Sequence, residues 1–397
     1  VRSSAASDVY KRQKKHTTKE RRIKMTQQTF GFIGFGLIGG SIARNLRKLY
    51  PNATLLAYNY NPNNTNPNLL LAQEEGTLNR IVTSFTDGFP ECDIIFLCAP
   101  VLRNISYLPA LKQIMKPTCI LTDVGSVKGN IHQAIAEQHM DANFVGGHPM
   151  AGSEKTGYEN STTELLENAF YILTPTSQTP QSMIDTMENI VSRIGAIPVV
   201  LQPDTHDDIV AAISHVPHII AASLVNMVRE HDDEKEHMHA LAAGGFKDIT
   251  RIASSSPVMW ENICLTNPDS IIRFIDLYIQ YMTDMKEAIQ KKDSAFITSF
   301  FEHSKTYRDS IPTKPMGAIA STHDLHIDVT DKKGEIAIIA TILASHDVSL
   351  KNIGISHNRE DSSGVLCIEF YDETSLLKAE DVLHSYNYVT SVSYTHL

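Results

Sequence analysis

The segment Gly31-Phe-Ile-Gly34-Phe-Gly36-Leu-Ile-Gly39-Gly40-Ser41 constrains this chain more than any other stretch. It places G-x-G-x-x-G between an apolar run, Phe30–Ile33, and a helical pattern, Ser41–Leu49. Gly34 permits a tight turn, Gly36 leaves room for a pyrophosphate, and Gly39 lets the helix pack on the strand. The pyrophosphate then rests on the helix N-terminus, where N–H groups without partners and the helix dipole favour an anion. A lone fingerprint of this kind is weak, but at the first strand of a strand–helix series it reads as a dinucleotide site. Gly34, Phe35, Gly36, Leu37, Ile38 and Gly39 are assigned to that site, with Ala99 and Pro100 after the later strand Ile94–Cys98. About 20 residues further on, an acid normally binds the ribose 2′-hydroxyl. Asn59 stands there, after the strand Thr54–Tyr58. Asparagine can bond a hydroxyl but does not repel a 2′-phosphate, and no arginine follows in the loop to grip one. NAD is therefore favoured over NADP, which stays open.

The fold class is α/β. Phe30–Ile33, Thr54–Tyr58, Ile94–Cys98, Ile120–Thr122, Phe144–Val145, Phe170–Leu173 and Pro198–Leu201 read as strands, with helices such as Ser41–Leu49, Ile105–Met115 and Ser182–Ile194 between them. Continuous apolar strands alternating with helices imply a parallel sheet covered on both faces. A Rossmann-type domain is expected over residues 25–202, ahead of an all-helical substrate and dimerisation domain over 203–311 that includes Ser270–Gln290. Pro312-Thr-Lys-Pro315 marks a linker, 312–321. Over residues 322–397 a βαββαβ order predicts a ferredoxin-like unit. Residues 1–24, ahead of Met25, read as a non-native or disordered leader, and the last few residues are read as non-native too.

The net charge of -10 argues against a nucleic-acid partner. The five cysteines form no C-x-x-C pair, which points to a reducing, cytoplasmic setting without disulfides or a zinc site. The most apolar long window, Ile209 to Val228, is interrupted by His215, Pro217, His218 and Asn226, so no membrane span is expected.

Four further strings carry the chemistry. They are Asp123-Val-Gly125-Ser126-Val-Lys128, Gly146-Gly-His148-Pro-Met-Ala-Gly152-Ser-Glu154, Ser214-His215-Val-Pro217-His218, and Phe246-Lys247-Asp248-Ile-Thr250-Arg251-Ile-Ala. In order and spacing they resemble the motif set of prephenate dehydrogenases, from Phe30 to about Ser310, and the tail from Thr322 resembles an ACT domain. The resemblance implies oxidative decarboxylation of prephenate to 4-hydroxyphenylpyruvate. It makes His148 the acceptor of the substrate hydroxyl proton, a task suited to an imidazole that is neutral near pH 7. Ser126 supports the histidine by the same resemblance, and as a helix N-cap by its own chemistry. Glu154 gates or orients the site, or serves only as a capping or surface acid.

His215 and His218 are three apart and share a helical face. The resemblance turns His218 toward substrate and leaves His215 open between substrate contact and a core role. No second cluster completes a metal site with them. Pro217 is expected to kink the helix. Lys247 and Arg251, four apart, are expected on one partly buried helical face, and the resemblance implies that Arg251 pairs with a substrate carboxylate. Trp260 is placed near that site, with core packing as the alternative. In the tail, Gly334, Asn352 and Ile353 are the candidate regulatory residues, with tyrosine as effector by resemblance to ACT domains. A homodimer is expected. Two other readings stay open: an arogenate dehydrogenase, and an amino-acid-sensing module with an inactive enzyme domain.

Overall fold

The structure is a computed structural model that describes residues 28–59, 66–152, 155–311, 324–330, 334–350, 352–358, 363–370 and 372–392. The expected leader, the linker, Glu154 and the final residues lie outside the described residues.

Phe30, Phe32 and Ile33 can all be buried only if their strand is covered on both faces, and none is more than 1% exposed. That strand, β1 (Thr29–Ile33), leads into α1 (Leu37–Leu49) and then β2 (Thr54–Tyr58), α2 (Pro67–Glu74) and the two-residue β3 (Arg80–Ile81). β4 (Ile94–Leu97), α3 (Val101–Ile114), β5 (Ile120–Asp123) and α4 (Gly129–Glu137) follow. The five strands pair in parallel in the order β3-β2-β1-β4-β5. Strand order therefore reverses at β1, and the crevice between β1 and β4 at the carboxyl edge is where such sheets bind ligands. α1 starts four residues earlier than its apolar pattern suggests, because Gly36 ends the turn and the helix begins at once.

The expected parallel sheet then gives way to a second one. β6 (Val145–Pro149), β7 (Phe170–Pro175) and β8 (Ile197–Val200), with α5 (Gln181–Arg193) before β8, form a three-stranded sheet in which β6 and β7 run antiparallel. It joins the first sheet through a bridge between Leu121 and Phe144. The approach is close enough that a Cβ on Gly147 would stand 2.5 Å from the Asp123 carbonyl oxygen.

The helical region opens with α6 (Pro203–Val210), a π-turn at Ala211–His215, and α7 (Val216–His231). Pro217 was expected to kink this run, and the wide π-turn just before it accommodates the missing N–H, a recurrent feature of functional sites. By length and composition alone residues 203–231 could cross a membrane. Here they pack on α4 of the Rossmann domain and on the long helix described next. α8 (His237–Leu241), α9 (Gly244–Thr250), α10 (Pro257–Thr266), α11 (Pro268–Lys291) and α12 (Ser294–Ser310) complete the region. Its small core joins Ala211, Val216, Ile263 and Ile271 to Val127 from the loop after β5, which seats the helices on the sheet domain.

The tail folds as β9 (Asp324–Thr330), α13 (Glu335–Ser345), β10 (Asn352–Asn358), β11 (Ser363–Glu369), α14 (Glu373–Ser385) and β12 (Thr390–Val392). The antiparallel order β10-β11-β9-β12 is the ferredoxin-like arrangement. Leu325, Ile327, Leu366 and Ile368 from the sheet close on Ile339 and Leu343 of α13.

Candidate active site

The glycine loop has the geometry its spacing demands. Gly34 adopts φ +88°, and a Cβ there would stand 2.5 Å from the Ala99 nitrogen, so only glycine fits. At Gly36 a Cβ would meet nothing within 4 Å, which leaves the approach to the helix open. No side chain caps α1, and its first turn holds no acid, so its N–H groups are left for an anion. These features fit a dinucleotide pyrophosphate.

Gly36, Leu37, Ile38, Gly39, Ala99 and Pro100 line a cleft of about 530 Å³ that also holds Ser126, His148, Lys155 and residues of α10. Two of the side chains assigned to the cofactor do not line it. Phe35 turns its ring into the core, 1% exposed and stacked on Tyr158 at 5.3 Å, because an aromatic there gains more from burial than from the cleft edge. Asn59 follows β2 but is not among the cleft-lining residues.

His148 lies within β6, opposite Ile172, and not after a strand as expected. It is 8% exposed. Its Nδ1 is 2.8 Å from Nε2 of His206, whose own Nδ1 is 2.7 Å from Oδ1 of Asp207. Burial first, then the neighbouring His206, Lys128 and His215, holds the imidazole well below its usual pKa. It is therefore neutral at pH 7 and can accept a proton.

Both peptide groups of the preceding Gly147 are fixed from below. Its N–H donates to Oδ1 of Asp123 at 3.1 Å, and its carbonyl accepts from Nζ of Lys128 at 2.6 Å. Lys128 and Asp123 form an ion pair whose side chains are fully buried. Ser126 lines the same cleft as His148. It does not cap α4; the Asp207 carboxylate does, accepting the N–H groups of Lys128 and Gly129, each at 2.8 Å.

His218 and Trp260 occupy a second cavity, about 340 Å³, lined also by Ile252, Ser255, Pro257 and Cys264. Their rings stack at 4.0 Å, and His218 Nδ1–H donates to the Ser214 carbonyl at 2.7 Å. The two cavities share α10: Met259, Asn262 and Ile263 face the His148 cleft, while Trp260 and Cys264 face the other. The buried indole N–H of Trp260 has no partner among the described residues. His215 lines neither cavity. It is 1% exposed, and burial pushes its pKa down to about 4, the surroundings of a core histidine.

Lys247 and Arg251 stand apart from both cavities. α9, which carries Lys247, ends at Thr250, and Arg251 opens the 3-10 turn that follows; both side chains are exposed. Of the helix itself Thr250 is buried and Phe246 half-buried, whereas Ile249 is 59% exposed. Neither cation lines a described cavity; the lysine at the His148 cleft is Lys155, which the sequence reading did not single out. In the tail, Gly334 takes φ +87° at the start of α13, Asn352 is exposed at the start of β10, and Ile353 packs on the tail core.

His206, Asp207, Asp123 and Lys128 were given no role from the sequence. Asp123 and Lys128 sit in a quoted motif, and His206-Asp207 begins the helical region just after Pro203, yet only the fold shows that all four converge beneath His148.

Residues 42–200 match the family described as "Prephenate dehydrogenase, nucleotide-binding domain", and residues 202–305 match "Prephenate dehydrogenase, dimerization domain". The chain is 36% identical over 362 residues to a prephenate dehydrogenase of Bacillus subtilis, covering 90% of this chain and 96% of that protein. It is 33% identical over 356 residues to that of Lactococcus lactis, covering 88% and 96%. Among solved structures, a prephenate dehydrogenase from A. aeolicus in complex with hydroxyphenyl propionate and NAD+ superposes with a TM-score of 0.68 at 29% identity, over 73% of this chain and 100% of that one.

Proposed function

The chain belongs to the prephenate dehydrogenase family, and from that premise we propose that it converts prephenate to 4-hydroxyphenylpyruvate and carbon dioxide, with NAD as hydride acceptor, on the route to tyrosine. The observation that carries the chemistry is a buried, neutral imidazole, His148, opening on the same cleft as the glycine loop.

Bound NAD would supply the acceptor for the hydride on the ring carbon that bears the hydroxyl. The loop from Gly34 to Gly39 and the bare start of α1 would hold its pyrophosphate, with Ala99 and Pro100 beside it. His148 accepts the hydroxyl proton as that carbon is oxidised, with Ser126 beside it on the cleft wall. The bond to the ring carboxylate then breaks; its electron pair enters the ring, carbon dioxide leaves, and the proton returns to the phenolic oxygen. Aromatisation makes the sequence irreversible. His218 and Trp260, which stack at the second cavity, are assigned the far end of the substrate. Arg251 and Lys247, exposed beside the residues of that second cavity, draw the dianion toward an otherwise acidic protein. Glu154 keeps an orienting role.

The helical region leaves Ile272, Ile279, Tyr281, Ile289, Phe301 and Tyr307 each at least 55% exposed, which supports a homodimer built on α11 and α12. The ferredoxin-like tail is assigned an ACT-type regulatory role with tyrosine as effector at Gly334, Asn352 and Ile353, and the five free thiols suit the cytoplasm.

The test is reduced-cofactor absorbance with prephenate or arogenate, each offered NAD or NADP, with and without tyrosine, on protein whose mass in solution is measured. Turnover of prephenate with NAD by a dimer, slowed by tyrosine, is expected. Turnover of arogenate alone would move the substrate, and no turnover by folded protein would overturn the reading in favour of an amino-acid-binding module.

A further inference from the structure

We propose that His206 and Asp207 form a positioning relay that fixes His148 in the tautomer with its lone pair on Nε2. The argument is one of donors and acceptors. A carboxylate only accepts, and Asp207 already takes two backbone N–H groups, from Lys128 and Gly129. His206 Nδ1, 2.7 Å away, must therefore donate to it. In a neutral His206 that leaves Nε2 as an acceptor, and the atom facing it at 2.8 Å is Nδ1 of His148. His148 Nδ1 then carries the hydrogen, and its Nε2 is left bare. The opposite tautomer would set two lone pairs against each other in a buried site, where an unmet polar contact is costly.

The relay also ties the base to the helical region. His206 and Asp207 both stand on α6, whereas His148 stands on β6. His206 is fully buried, and the Asp207 carbonyl accepts from Asn267 Nδ2 at 2.9 Å, at the junction of α10 and α11. Seating the helices on the sheet thus orients the imidazole.

This inference rests on His148 being the proton acceptor, and the test separates the two. Histidine-labelled full-length protein is examined by two-bond 15N–1H correlation, with the His148 signals identified by their loss in His148→Gln. Protonated Nδ1 on His148 is expected in the wild type. His206→Leu should lose that tautomer preference and lower kcat by about 10- to 100-fold, the range for a lost orienting partner, with KM for NAD unchanged. His206→Gln, which can still accept through its side-chain oxygen, should recover part of the loss. Protonated Nε2 in the wild type would overturn the relay without any variant, and so would His206→Leu turning over at the wild-type rate. If His148→Gln were fully active while the wild-type tautomer stood as stated, the function assigned to His148 would fall and the relay would remain.

Discussion

Replacing His148 with asparagine should lower kcat by about 10²- to 10⁴-fold, the usual contribution of a positioned acid–base group, and leave NAD affinity unchanged. Asparagine cannot take up a proton, yet it is polar and small enough to be housed within β6. The cofactor contacts come from the glycine loop, Ala99 and Pro100, none of which depends on this side chain. A companion expectation concerns pH. The base must be neutral to accept a proton, and its pKa is held well below the usual 6.5 by burial and by His206, Lys128 and His215. As pH falls through 6.5 the imidazole therefore stays neutral, and wild-type kcat should hold until well below that point. A variant with near-normal kcat would remove His148 from the chemistry. An acid limb near 6.5 would show that the site does not depress its pKa.

Replacing Lys128 with methionine should destabilise the protein by about 3–5 kcal/mol, as found when one partner of a buried ion pair is removed. Asp123 would remain fully buried beside an apolar side chain, and the Gly147 carbonyl would lose its donor. Methionine fills similar volume, so the loss reflects charge and hydrogen bonding more than a cavity. Chemical denaturation of the single variant and of the pair Lys128→Met with Asp123→Asn separates these effects. The double variant should recover part of the loss, because no uncompensated charge is left. A cost below about 1 kcal/mol for Lys128→Met would mean that water reaches the pair, contrary to its burial.

The alternation of apolar strands and helices made the Rossmann unit legible, since burial on both faces writes itself as continuous apolar runs. Gly34 and Gly39 could be assigned from spacing because each answers a steric demand, a positive φ and a close helix–strand contact. The ferredoxin-like tail was legible for the same reason: its strands alternate with two short helices. What stayed hidden was contact between distant segments. Nothing in the local pattern says that His206 reaches His148 across 58 residues, or that Asp207 rather than Ser126 caps α4. Nor does position within a motif reveal that the Phe35 ring turns into the core.

The most direct experiment is a crystal structure of the protein with NAD and a hydroxyphenyl analogue of the substrate. The nicotinamide should lie in the cleft bounded by Gly36 and α10, with the analogue's hydroxyl within hydrogen-bonding distance of His148 Nε2 and its carboxylate directed toward His218 and Trp260. An analogue bound with its hydroxyl away from His148, or seated wholly in the His218 cavity, would contradict the assignment of His148 as the group that takes the proton.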